Sequence, residues 1–259
     1  MSGELERELA ELARLSAEHL RCELEMANPY LVAVELAELE ALGEGAEPAN
    51  PRELAVAPEA EREAPAPAAS SDDVPRRLAV VQAEAATCTR CRLHEGRTKS
   101  VFARGNPSAS VMFVGEGPGY HEDQRGLPFV GKAGQLLDKM IAAMGLGADE
   151  FYICNVVKCR PPENRTPNPD EAAACSPFLR QQIELVKPDV LIALGRHAAE
   201  NLGSASARWR GSWTSVDGIP MMSTYHPAFL LRSPEQKRVV WQDLQAVVAK
   251  LGRELPARR

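Results

Sequence analysis

Four apolar runs, spaced by stretches with helical rhythm, constrain this chain more than any other feature. "SVMFVGEG" is an apolar run ending in glycine and reads as a buried strand. "FYICNVVKC", "DVLIALG" and "IPMMSTYHP" read as three more. Between and around them lie helical segments. "PRRLAVVQAEAATC" has proline in its first turn, with Asp73 or Val74 ahead of it. "AGQLLDKMIAAMGL" is amphipathic and closed by Gly145. "NPDEAAACSPFLRQQIELV" starts at an Asn168 cap with Pro169 next, and "RHAAENLG" is short. "SPEQKRVVWQDLQAVVAKL" is expected to start at a Ser233 cap followed by Pro234. Strands alternating with helices predict an α/β fold of three αβα layers around a mostly parallel, four-stranded sheet. Ligands of such sheets gather beyond the carboxyl ends of the strands, where "GEGPG", "NVVKCRPP" and "YHP" fall.

This compact domain is expected to span 75–259. Residues 1–42 read as an acidic helical extension, with Leu5, Leu9, Leu12 and Leu15 at three- and four-residue spacing. Residues 43–74 turn to Ala, Pro and Glu with few large apolar groups, the composition of a disordered linker. Net charge divides along the same line. Residues 1–80 carry 7 Arg against 18 acids, while residues 81–259 carry 23 basic residues against 18 acids. The overall charge of -6 therefore conceals a mildly basic domain able to meet a polyanion. No apolar run approaches the roughly 18 residues of a membrane span, and the N-terminus lacks a signal-peptide core. A cytoplasmic, monomeric protein is expected, with a possible protein partner for residues 1–42.

Six cysteines in such a chain point to thiols or metal ligands more than to disulfides. "CTRC" sets Cys88 and Cys91 at ligand spacing, and Cys159 and Cys175 follow the second strand. Four such thiolates suit zinc or an iron–sulfur cluster, and spacing alone does not choose. The stretch "GEGPGYHEDQRGLPFVGKAGQLL" is rich in glycine, yet it lacks the Gly-Lys-Ser/Thr ending of a phosphate loop and the GxGxxG spacing of a dinucleotide site.

Together "GEGPGYHEDQRGLPFVGKAGQLL", "NVVKCRPPENRTPNPDEAAAC" and "YHPAFLLR" resemble the family-four, iron–sulfur type of uracil-DNA glycosylases, over about residues 80–250. The resemblance implies excision of uracil from DNA and a 4Fe-4S cluster on Cys88, Cys91, Cys159 and Cys175. It implies that Phe129 stacks on the base, that Asn155 reads its polar edge and that His226 faces a carbonyl. Glu116 is the main candidate to position water. Gly117 would let backbone approach the base closely, and Glu122 would lie near the pocket and crowd a thymine methyl. Leu230 and Leu231 are candidates to fill the vacated base stack, with Arg232 and Arg165 on the phosphates. Lys158 and Arg160 are read as part of the same backbone-contact loop. That loop, "RPPENRTPNP", has no histidine and no long basic insert, unlike relatives that stay covalently attached to uracil-DNA. Hydrolysis with turnover is expected; a non-catalytic or covalently capturing uracil-DNA binder is the alternative.

Overall fold

The computed structural model describes residues 73–204 and 209–256. The expected extension of 1–42, and the linker up to residue 72, lie outside the described residues. The strands are β1 (Ala103–Gly105), β2 (Val111–Gly115), β3 (Phe151–Asn155), β4 (Val190–Leu194), β5 (Trp213–Val216) and β6 (Ile219–Thr224). They form one sheet in the order β1-β3-β2-β4-β6-β5. The central four are mutually parallel, and β1 and β5 pair antiparallel at the two edges. The four expected strands are thus the middle of a six-stranded mixed sheet.

The helices are α1 (Val74–Thr87), α2 (Leu93–Gly96), α3 (Tyr120–Arg125), α4 (Lys132–Ala143), α5 (Pro169–Val186), α6 (Arg196–Asn201), α7 (Pro227–Arg232) and α8 (Lys237–Lys250). Alternate residues of each central strand serve opposite layers. Met112, Val114, Tyr152, Cys154, Leu191 and Ala193 face a core shared with α1, α5 and α6. Val111, Phe113, Ile153, Val190 and Ile192 face a second core shared with α4 and α8. Burial on both faces explains why these strands are continuously apolar in sequence.

Two helices depart from a simple reading. Pro177 lies inside α5, where it cannot donate to the Ala173 carbonyl. The Ser176 hydroxyl donates to that carbonyl instead, at 2.9 Å, so the helix continues. The final helix starts later than expected. Residues Pro234–Gln236 form a 3-10 turn, and α8 begins at Lys237. No helix among the described residues is long and apolar enough to cross a membrane.

Candidate active site

Parallel register sets the site. Gly115 ends β2 directly beside Asn155 at the end of β3. A Cβ on Gly115 would stand 2.4 Å from Asn155 Oδ1 and 2.6 Å from Phe129 Cζ, so only glycine lets the amide and the ring meet there. Beyond these ends opens a cavity of about 520 Å3. Glu116, Gly117, Glu122, Phe129, Asn155, Arg165, His226 and Arg232 all line it. Eight of the expected base- and DNA-contacting residues therefore share one pocket. Its volume suits a small planar ligand.

Asn155 is 1% exposed, and its Oδ1 has no hydrogen-bond partner. A buried polar atom left without a partner costs stability and is rare in folded proteins. Here the bare atom belongs to a residue lining the cavity, where a ligand would supply the partner.

Phe129 is held in an uncommon backbone state, with φ 55°. Arg104 and α4 hold it there. Arg104 donates from Nε to the Pro128 carbonyl at 3.0 Å and from Nη2 to the Phe129 carbonyl at 3.5 Å. Asp138 on α4 anchors the same guanidinium at 2.5 Å. Gly134 lets α4 press against the Phe129 carbonyl, where a Cβ would come within 1.8 Å of the oxygen. The Phe129 and His226 rings lie 5.5 Å apart, tilted by 33°.

His226 caps α7, and its Nδ1 accepts the Ala228 N–H at 3.1 Å. The ring proton of the neutral imidazole therefore sits on Nε2, which is left as a donor. Burial pushes the imidazole down from 6.5 to about 4, Arg232 adds to the shift, and Glu122 opposes it. Between those two pH values the unfolded chain takes up a proton that the folded chain refuses. This contribution is constant above pH 6.5, and stability falls as pH drops through the window towards about 4. Nitrogen-15 NMR is expected to show Nδ1 unprotonated until the pH nears about 4; titration near 6.5 would contradict a neutral donor.

The carboxylates divide by role. Glu116 lines the cavity and is half-buried. Glu122 accepts the N–H groups of Val130 and Gly131 at 2.9 and 2.8 Å, so it braces the loop carrying Phe129 as well as facing the pocket. Asp123, fully buried, accepts the Thr98 N–H at 2.9 Å and ties α3 to the segment after α2. Its role was not legible, because an acid in a short polar helix reads as solvated. Gly117 lines the cavity, but a Cβ there would meet Val157 Cγ2 at 2.9 Å. Its bareness serves packing as well as access.

Two of the expected DNA contacts, Leu230 and Lys158, turn inward, and a third, Arg165, already has a partner. Leu230 and Leu231 are not a matched pair. Helical α7 turns Leu230 into the core, 1% exposed, and leaves Leu231 out at 46%. Arg165 has its charge matched by the buried Glu171, which it meets at 2.6 and 2.8 Å. That pairing fixes the loop against the first turn of α5 and leaves less charge for a phosphate. Lys158 is no surface contact. It is buried, donating to the Asn155 carbonyl at 2.6 Å and to Gln182 Oε1 at 2.5 Å.

Cys88, Cys91, Cys159 and Cys175 border one region of the first core, supplied by the end of α1, the following turn, the loop after β3, and α5. Their sulfurs are near enough to influence one another electrostatically. Burial pushes the Cys159 thiol up against the pull of Arg97. Arg97 donates to Cys159 Sγ at 3.3 Å, the Lys158 amide to Cys175 Sγ at 3.3 Å, and Arg90 to Cys88 Sγ at 3.5 Å. Donors aimed at sulfur suit thiolates that carry negative charge. Among the described residues, no three His, Cys, Asp or Glu side chains gather closely enough to hold a single metal ion.

An aromatic ring, a bare amide and a neutral imidazole at the strand ends define a pocket for a planar polar ring, with acids beside it. This is the layout of an enzyme that works on an extruded nucleobase. Residues 102–245 match the uracil DNA glycosylase superfamily, and the chain belongs to that family. It is 42% identical over 187 residues to the type-4 uracil-DNA glycosylase of Thermotoga maritima, covering 68% of this chain and 96% of that protein. It is 41% identical over 182 residues to the type-4 enzyme of Sulfurisphaera tokodaii, covering 66% and 83%. A type-5 uracil-DNA glycosylase of Pyrobaculum aerophilum is 33% identical over 144 residues, covering 48% and 63%.

Proposed function

We propose that this chain is a monofunctional DNA-repair hydrolase that removes uracil from DNA and leaves an abasic site. The bare Oδ1 of Asn155 carries this reading, because it offers the buried amide a base edge as its missing partner. The base leaves the duplex and stacks on Phe129. The Asn155 amide pairs with the polar edge of uracil. Cytosine would present a donor where an acceptor is needed and leave buried groups unpaired. The bond from C1′ to the base nitrogen breaks, and its electron pair moves onto the ring. His226 donates from Nε2 to a carbonyl oxygen as that charge builds. Glu116 orients the water that bonds to C1′ and takes its proton, and the departing base is reprotonated from solvent. Glu122 holds the pocket wall that a thymine methyl would meet. Leu231 fills the vacated stack and Arg232 holds phosphate. Among the described residues no lysine lines the cavity to serve as the amine of a Schiff-base lyase. Among the described residues the one histidine lining it is His226, with none from the loop that covalent capture would use.

The cysteine set supports the finer assignment of a 4Fe-4S cluster. N–H donors already face three of the four sulfurs, as suits thiolates that share the charge of a cluster. When bound, the cluster would cross-link α1, α5 and the loop after β3. Cys159→Ala is expected to lose its visible absorbance and to lower the melting temperature by roughly 10 °C. Retained absorbance with normal melting would remove Cys159 from the ligand set. Action in the cytoplasm as a monomer, with residues 1–42 meeting a protein partner, belongs to the same proposal.

The test uses cluster-loaded protein and a labelled oligonucleotide with one uracil, followed by alkali and a denaturing gel. Multiple-turnover cleavage at uracil is expected. Stoichiometric, alkali-stable attachment to the DNA would favour capture, and retention without cleavage would favour a binding protein.

A further inference from the structure

We propose that Tyr120 and Arg160 form a stacking subsite for the nucleotide next to the excised base on the same DNA strand. The proposal rests on the uracil-excision reading. It starts from an aromatic ring in an unusual place. Tyr120 opens α3 directly after Gly119, which lines the base cavity, and it is 54% exposed. The guanidinium carbon of Arg160 lies 5.1 Å from the centre of its ring. Arg160 is itself set by the cavity wall. Its Nε donates to Asn164 Oδ1 at 2.8 Å, and Asn164, with φ 56°, lines the base pocket. Ring and guanidinium are thus held together at the cavity rim while much of the ring still meets solvent.

A second hollow, of about 670 Å3, continues from there. Pro161 belongs to the walls of both hollows, so the two meet across it. Arg92 and Arg160 line the second hollow with Glu95, which leaves a net positive wall. A strand of DNA asks for flat faces for its bases and cations for its phosphates, repeated along a path. The base cavity, the Tyr120–Arg160 pair and the Arg92 side of the second hollow supply that sequence. Arg160 also braces the ring by a cation–π contact, which keeps a stacking face in place before the strand arrives. Leu231 and Tyr120 are both exposed apolar side chains next in sequence to cavity-lining residues. The strand therefore meets apolar contacts on two sides of the pocket.

Single-stranded oligonucleotides with uracil at the end, or one to four nucleotides from it, test this on the 5′ and 3′ sides separately. In the natural chain, KM is expected to fall when neighbours are added on one side. Tyr120→Ala and Arg160→Ala should raise KM for the longer substrates by about tenfold or more, with kcat little changed. Tyr120→Phe should restore the gain, because it keeps the ring. Fluorescence anisotropy with uracil-free oligothymidylate reads the same subsite without excision, and Tyr120→Ala should weaken that binding while Tyr120→Phe does not. A natural chain that excises nothing would overturn the glycosylase reading, and the anisotropy result would still decide the subsite. Equal length dependence and equal binding in Tyr120→Ala and the natural chain would overturn the subsite.

Discussion

Asn155→Ala is expected to lower kcat/KM for uracil excision by about a hundred- to a thousandfold while leaving the fold as stable as before, or more so. The two halves of this expectation share one cause. In the free protein, Oδ1 of Asn155 is buried with no partner, so the side chain is a burden on the folded state. Alanine removes that burden along with the group proposed to read the base. Most deletions of a buried polar side chain cost stability because they orphan its partners, and here the oxygen has none. Single-turnover excision and thermal melting on the same preparation check both halves. A variant with full activity would sink the base-reading role, and a marked loss of stability would show that the amide holds the fold rather than the ligand.

Gly134→Ala has the reverse profile of an ordinary helix substitution. Alanine in a helix interior usually gains about 1 kcal/mol over glycine. At Gly134 the new methyl would stand 1.8 Å from the Phe129 carbonyl oxygen and 2.1 Å from its carbon, and backbone cannot step aside as a flexible side chain can. The expected result is a loss of about 3 kcal/mol in denaturant unfolding, together with most of the excision activity, because α4 or the Phe129 loop must shift. A gain in stability would mean that the loop yields freely, and the argument for a fixed ring would fail with it.

Much of this was legible in the residues because the central strands are buried on both faces. Runs such as Val111–Gly115 and Val190–Leu194 leave little else to be. The edge strands lack that signature. β1 is three residues, Ala-Arg-Gly, and β5 alternates between half-buried and exposed positions. The hairpin joining β5 to β6 turns at Asp217 and Gly218, both at positive φ, a pair typical of tight hairpin turns that the reading of the sequence passed over. The pocket residues could be named in advance through the motifs that carry the family resemblance, and those motifs stand near the ends of parallel strands, where they converge in space. What stayed hidden depends on which way a side chain turns. Leu230 and Leu231 are neighbours in sequence, and only the axis of α7 separates them into core and surface. Lys158 sits in "KCRPP", which reads as a basic loop, yet Gln182 and the Asn155 carbonyl draw it inside. Arg104 carries no motif, and its hold on the Phe129 loop exists only through the fold.

The left-handed backbone of Phe129 decides when the cost of a well-shaped pocket falls. The unfavourable conformation is imposed as the chain folds, by Arg104 and by the close approach of α4 at Gly134. None of it is left to be met when a base arrives. The mould is finished before the guest enters. A guest of the wrong shape finds no give in it, so discrimination against the other bases should depend little on temperature-driven motion of this wall.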